Sequence, residues 1–309
     1  MNGVSAAPAE RKRTERSSPS GSFRAFSFFV TGLAVLFLKP LIALATIAAR
    51  SQLHSHILLI PFVFIYLIYI RRADLPGISR RSISGSLSFL VIGLAAIGTS
   101  QFAATLSASE HLAAIILAVV SFIVAGGFFF LGSECMRTLA FPFAFLIFLV
   151  PLPERAVYLL ETASQVASAD AADLFFHLSM TPILREGMVF QLPGMVIEVA
   201  QECSGIRSSV VLFMTSLVVA HLFLHTPWRR VVLVAFVIPL GILRNGFRIV
   251  VIGLLCVHYG PQMINSAIHL HGGPVFFVLS LIPLFALLYW LRRGDRQSQL
   301  RTNSASLGQ

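Results

Sequence analysis

Val199-Ala200-Gln201-Glu202-Cys203-Ser204-Gly205-Ile206-Arg207-Ser208-Ser209 runs without a break into an apolar stretch that starts at Val210 and ends near Leu224. A polar segment carrying a thiol, a small-residue step and a cation therefore meets the start of a helix apolar enough to enter a membrane. A cysteine at a helix start feels the positive end of the helix dipole, and Arg207 follows about one turn on; both favour thiolate over thiol. Taken alone, Cys203 also reads as a small buried residue, and the rest of the chain must decide.

The chain has 309 residues, of which 56% are hydrophobic and 12% charged, with a mean hydropathy of +0.84. No soluble domain needs that much apolar surface, so the composition predicts a polytopic membrane protein. The net charge of +10 is spread in short runs between apolar stretches. That is a membrane-topology pattern and not the single basic face of a nucleic-acid binder. The 3 cysteines (Cys135, Cys203, Cys256) do not form a disulfide framework. There is no cleavable signal pattern, because the first apolar run follows a basic tail and is too long for a signal h-region.

Working outward, the sequence predicts an all-α integral membrane protein with about eight transmembrane helices. The spans fall near 26–48, 57–70, 83–103, 112–131, 139–150, 208–224, 231–257 and 275–291. The first is interrupted by Lys39-Pro40, and the fifth stops at Pro151-Leu152-Pro153. Before the sixth span, Glu154 to Ser179 is amphipathic and reads as a helix on the membrane surface or along the bundle. Gly187 to Val199 alternates and turns at Pro193-Gly194, a β-hairpin signal. Residues 1–22 and 294–309 read as disordered cytoplasmic tails around a membrane domain at 23–293. With the N-terminus in the cytoplasm, most arginines fall in cytoplasmic segments. Only Arg50, Arg155 and Arg185 lie outside, so the positive-inside rule predicts this orientation. It places the amphipathic helix, the hairpin, Cys203 and the His269 loop on the extracytoplasmic side of the cytoplasmic (inner) membrane, with both termini inside.

Arg244 and Arg248 are four apart inside the seventh span and share a helix face. Ionisable residues within a span are functional candidates, although arginines there also pair with acids such as Glu202 or hold helices together. His269, before the eighth span, is a candidate acid/base on the predicted outer side, with His271 as a competitor. His221 and His225 have the spacing of a ligand pair but sit at the other end of the sixth span. Cys203, His269 and His271 could in principle hold zinc, yet an arginine in the same site argues against a cation. The expectation is no metal and no cofactor.

These motifs resemble those of the exosortase/archaeosortase family of membrane-embedded cysteine transpeptidases. Ser55-His56 resembles an early Ser-His signature, and Val150-Pro151-Leu152-Pro153 a Pro-Leu-Pro that closes the mid-chain span. Glu202-Cys203-Ser204-Gly205-Ile206-Arg207 resembles the nucleophile motif, and Asn245-Gly246-Phe247-Arg248-Ile249 the Asn-x-x-Arg motif. His269-Leu270-His271-Gly272-Gly273 resembles the His-x-x-x-Gly motif. The resemblance covers roughly residues 50 to 290. The chain departs from the pattern at Glu202, where a small residue is common, at Ile268, where an Asp often stands, and at Pro274, where a Trp often stands.

The resemblance implies Cys203 as nucleophile with Arg248 and His269 as its partners; Ser204, Gly205, Arg207, Arg244, Asn245 and His56 are the candidate supporting or substrate-binding residues. It also implies membrane-anchored protein substrates with a C-terminal sorting signal: a short PEP-CTERM-like motif, a transmembrane helix and a basic tail. The expected reaction is cleavage through a thioester, with transfer to an unknown acceptor. Besides such substrates and the bilayer, no nucleic-acid partner is expected. Two rivals remain at this point: a non-catalytic transporter or envelope polysaccharide/assembly protein, and a plain protease whose thioester is resolved by water.

Overall fold

The computed structural model describes residues 19–50, 54–76, 81–102, 106–199, 205–260, 262–263 and 273–307. The chain divides into two compact units, one ending at Leu152 and the next starting at Pro153. The boundary thus falls within Pro151-Leu152-Pro153, whose two prolines lack the N–H groups a continuing helix would use.

In the first unit, α1 (Pro19–Leu36) and α2 (Leu38–Arg50) replace the single predicted first span. They form a pair bent by 78°. Pro40 has no N–H to offer the carbonyl of Leu36, so the ladder breaks just before it, at Phe37. A 3-10 turn, Ser55–Leu59, leads into α3 (Ile60–Arg71). Next, α4 (Ile83–Phe102) and α5 (Ala108–Phe130) pack together as an antiparallel hairpin. A reciprocal capping box of Ser107 and Glu110 starts α5, and the glycines of α4 receive its rings. A Cβ at Gly93 would stand 2.4 Å from Phe122, and one at Gly85 would stand 2.8 Å from Phe128. The predicted fifth span is a second bent pair, α6 (Gly132–Thr138) with α7 (Ala140–Phe145) and its 3-10 extension to Leu149, bent by 73°.

The second unit opens with α8 (Glu154–Leu178). A three-stranded antiparallel sheet follows, with β1 (Leu184–Glu186), β2 (Val189–Leu192) and β3 (Met195–Glu198) in the order β1-β2-β3. The predicted hairpin is β2–β3, closed with Leu192 opposite Met195. Its turn is Pro193-Gly194. Proline presets the first corner and Gly194 takes φ +83° at the second, a conformation that glycine adopts without a Cβ penalty. After the sheet come α9 (Ile206–Phe223), α10 (Pro227–Tyr259) and α11 (Gly273–Leu307). The last helix continues past residue 294, where the sequence reading begins a tail, and Asp295 on it is only 2% exposed.

By length and composition five helices suffice to cross a membrane, or up to seven if each bent pair is one span, and Ser208–Phe223 is a shorter apolar helix. Every apolar stretch of the sequence reading has its helical counterpart here. The fold is an all-α membrane protein with one small sheet.

Two apolar cores divide α10 between them. Along its first half, Leu233, Val237 and Leu240 pack with Leu212 of α9 and Leu284 and Leu288 of α11. Along its second half, Ile249 and Val250 pack with Ala172 and Phe176 of α8 and with Phe190 and Leu192 of the sheet. The second contact is close because α10 carries glycine there. A Cβ at Gly246 would lie 2.7 Å from Ala171 Cβ and 3.0 Å from the Ala172 backbone nitrogen, and one at Gly253 would lie 2.7 Å from Phe176. Small residues that let two backbones approach are how helices associate where lipid removes the hydrophobic drive. The amphipathic stretch is thus packed along the bundle over its second half, the latter of the two readings the sequence allows.

Candidate active site

Between those two cores lie Arg244 and Asn245, buried at 8% and 2% exposure. Gly241, Arg244, Asn245 and Arg248 follow one another at the spacing of a single helix face. The start of α9 lies antiparallel against that face. Gly205 precedes α9 as its N-cap with φ +68°. That conformation costs an L-residue about 1–2 kcal/mol. A Cβ there would also stand 2.7 Å from Asn245 Oδ1. The glycine of the Cys-Ser-Gly step is therefore required twice over, by its backbone angle and by the asparagine behind it. One turn on, Gly241 plays the matching part on α10, where a Cβ would lie 2.8 Å from Ser209 Oγ.

The carbonyl oxygen of Gly205 is the focus of this corner. It accepts the first intrahelical bond from Ser209 N at 3.1 Å, and bonds from Ser208 Oγ at 3.0 Å and Ser209 Oγ at 3.1 Å. Arg244 Nη2 donates to it at 3.1 Å and to Ser209 Oγ at 3.2 Å. Arg244 Nη1 is also buried and has no hydrogen-bond partner among the described residues. The guanidinium thus pins the turn that begins α9 while keeping donors unspent. A cation placed this way is costly in a membrane unless something else needs its charge.

The other approach to the cysteine is pinned as well. Val199, 1% exposed, donates its N–H to the Met188 carbonyl at 2.9 Å, and its own carbonyl accepts a bond from Gln165 Nε2 of α8. The sheet is fastened to α8 by Arg185, whose Nη2 lies 2.7 Å from Asp170 Oδ1 and whose guanidinium carbon sits 5.6 Å from the centre of the Phe190 ring. Phe190 in turn packs on Phe176 with ring centres 5.6 Å apart. Val199 and Gly205, which flank residues 200–204 in the sequence, are therefore both anchored.

Cys203, Ser204, His269 and His271 lie outside the described residues, and of Arg207 only its place in the first turn of α9 is described. The structure brings Gly205, Arg244 and Asn245 together and sets Arg248, half-buried, one turn beyond Arg244. His56 belongs to the other unit, on the 3-10 turn Ser55–Leu59. Beside it, burial pushes the His54 imidazole below its ordinary pKa, which favours the neutral ring. Sequence reasoning missed Gln165, Ser209 and Gly241. A signal for the last two existed: Ser209 sits one turn after Gly205, and Gly241 one turn before Arg244 and Asn245. Among the described residues no three His, Cys, Asp or Glu side chains gather into a metal-binding group.

Helices apolar enough to span a bilayer, one of them carrying buried Arg244 and Asn245, define a polytopic membrane protein. The chain matches the transmembrane exosortase (Exosortase_EpsH) family over residues 48–286, and it belongs to that family. No curated protein and no solved structure matches it.

Proposed function

We propose that this exosortase is a cysteine transpeptidase acting on secreted proteins that end in a sorting signal, at the outer face of the cytoplasmic membrane. The observation that supports this most is the pinned corner: Gly205, two residues after Cys203, is held by Arg244 and Asn245 at the start of a helix whose dipole favours a thiolate. In this reading the Cys203 sulfur attacks the scissile carbonyl. The carbon–sulfur bond forms as the peptide C–N bond breaks, and His269 gives its proton to the leaving amine. Arg248 steadies the thiolate and the oxyanion. An acceptor nucleophile then gives its proton to His269 and displaces the thiolate, closing the cycle. Ser204, Arg207 and His56 support the site or the substrate. The substrate's own transmembrane helix docks beside the spans and presents its short motif to Cys203.

The test is to co-express the protein with a secreted reporter ending in motif, helix and basic tail, and to weigh the product. Wild type should release a reporter lacking the helix. Cys203→Ser, Arg248→Gln and His269→Ala should leave it intact while the variants still insert in the membrane. A product extended by an acceptor marks transfer, and a free carboxylate marks hydrolysis. Full processing by Cys203→Ser would end the proposal and favour a carrier or envelope-assembly role.

A further inference from the structure

The far end of the second unit holds a cleft that the peptide chemistry does not use. Its volume is about 380 Å³, and its walls include Trp228 and Arg229 from the first turn of α10 and Trp290, Arg293 and Gln297 from α11. Gly294 also lines it. A Cβ there would stand 3.2–3.3 Å from three atoms of the Arg229 guanidinium, so glycine lets that group lie against the α11 backbone. The guanidinium also lies 5.3 Å from the Trp228 ring centre and 3.2 Å from Asp295 Oδ1.

Charge decides what the cleft fits. Arg229 and Arg230 at the start of α10 and Arg292, Arg293 and Arg296 along α11 bring positive charge to this part of the two helices. The acid among them, Asp295, is 2% exposed and already occupied. It accepts from His225 N at 2.6 Å, from Thr226 N at 3.4 Å and from Thr226 Oγ1, beside Arg229. Arg293 is exposed and makes no ion pair among the described residues. The cleft therefore presents uncompensated positive charge between two exposed indoles, at the ends of two candidate spans. Indoles belong at the headgroup level of a bilayer, and basic pockets between membrane helices suit anionic headgroups.

We propose that this cleft binds the phosphodiester headgroup of an anionic phospholipid, with Arg293 and Arg229 facing the phosphate and the two indoles lying beside the glycerol and upper acyl chains. A free phosphate shares the charge but has no use for the indoles.

The two tryptophans lining the cleft are the only 2 in the chain, so intrinsic fluorescence reports on it directly. The full-length protein would be reconstituted in phosphatidylcholine vesicles containing either phosphatidylglycerol or phosphatidylcholine with brominated acyl chains, which quench indoles on contact. Brominated phosphatidylglycerol should reach half-quenching at about a fivefold lower mole fraction, the preference one surface arginine gives for anionic lipid. Arg293→Gln should remove most of that preference, and Arg137→Gln, the same charge change elsewhere, should keep it. Equal quenching by the two lipids overturns the proposal, as does an unchanged preference in Arg293→Gln. Loss of the preference on adding millimolar inorganic phosphate at constant ionic strength would assign the cleft to free phosphate and overturn the lipid assignment.

Discussion

The two ends of the α9–α10 pair solve opposite electrostatic problems. At the turn joining the helices, the buried charge is a carboxylate. Asp295 reaches the turn from α11 and is met by two backbone N–H groups, a hydroxyl and the Arg229 guanidinium. Arg230 Nε adds a bond to the Leu224 carbonyl at 2.8 Å, so that end is well supplied with partners. At the other end the buried charge is a cation. Arg244 meets only a carbonyl and a hydroxyl among the described residues, and its Nη1 is left over. A buried charge with its partners in place maintains a structure. One set, among the described residues, against neutral groups is costly, and that is the end where we place the proposed chemistry.

The comparison is broken or sharpened first by exchanging consequences between the ends. Arg244→Met should lower processing about 100-fold or more, the loss expected when a turn beside the proposed nucleophile is displaced by about an ångström. Its thermal stability in detergent should change little, because burying a charge is itself costly and the Gly205 carbonyl keeps its bonds from Ser209 N, Ser208 Oγ and Ser209 Oγ. Asp295→Ala should do the reverse. It strands Arg229 and costs about 3–5 kcal/mol, as for one half of a buried pair, while the folded fraction keeps its activity per molecule. Thermal unfolding and reporter cleavage on the same preparations check both. If Arg244→Met lost stability and kept activity, the distinction between the ends would be wrong.

Next in size is Gly205→Ala. The left-handed angle alone costs about 1–2 kcal/mol, and the new Cβ meets Asn245 Oδ1 at 2.7 Å. Asn245→Ala in the same chain relieves the overlap but not the angle. The double variant should therefore recover part of the loss, with a coupling of about 0.5–3 kcal/mol between the two sites in denaturation experiments. Strict additivity would mean that the asparagine does not press on the turn.

Much of this was legible beforehand because it is written locally. Apolar length marks the helices, Pro193-Gly194 marks a turn, and two arginines inside a span stand out against lipid. What was not legible depends on partners distant in sequence. Leu184-Arg185-Glu186 is too short and too charged to read as a strand, and becomes one by pairing with Val189 to Gln191 and by the grip of Arg185 on Asp170. Asp295 reads as the start of a polar tail. It is buried because a turn some seventy residues earlier in sequence presents unsatisfied N–H groups to it. The bend near Leu38 was half visible: Pro40 announced an interruption, but only the structure turns it into two helices at 78°.

The smallest effects contrast a hydroxyl at each end. Thr226→Val keeps the shape of the side chain and deletes one donor to Asp295. The carboxylate retains His225 N, Thr226 N and Arg229, so the loss should be no more than about 1.5–3 kcal/mol, the worth of one hydrogen bond to a charged group. Processing should not change. Ser209→Ala also removes one hydroxyl, but this one both donates to the Gly205 carbonyl and accepts from Arg244 Nη2. Its stability loss should be no larger, since the carbonyl keeps three other donors. Its processing rate should nevertheless fall, because the guanidinium loses one of its two hydrogen bonds to the turn among the described residues. Two hydroxyl deletions, read by unfolding and by reporter cleavage, thus separate an end whose buried charge holds the helices together from an end that, in the proposed function, aims a reactive group.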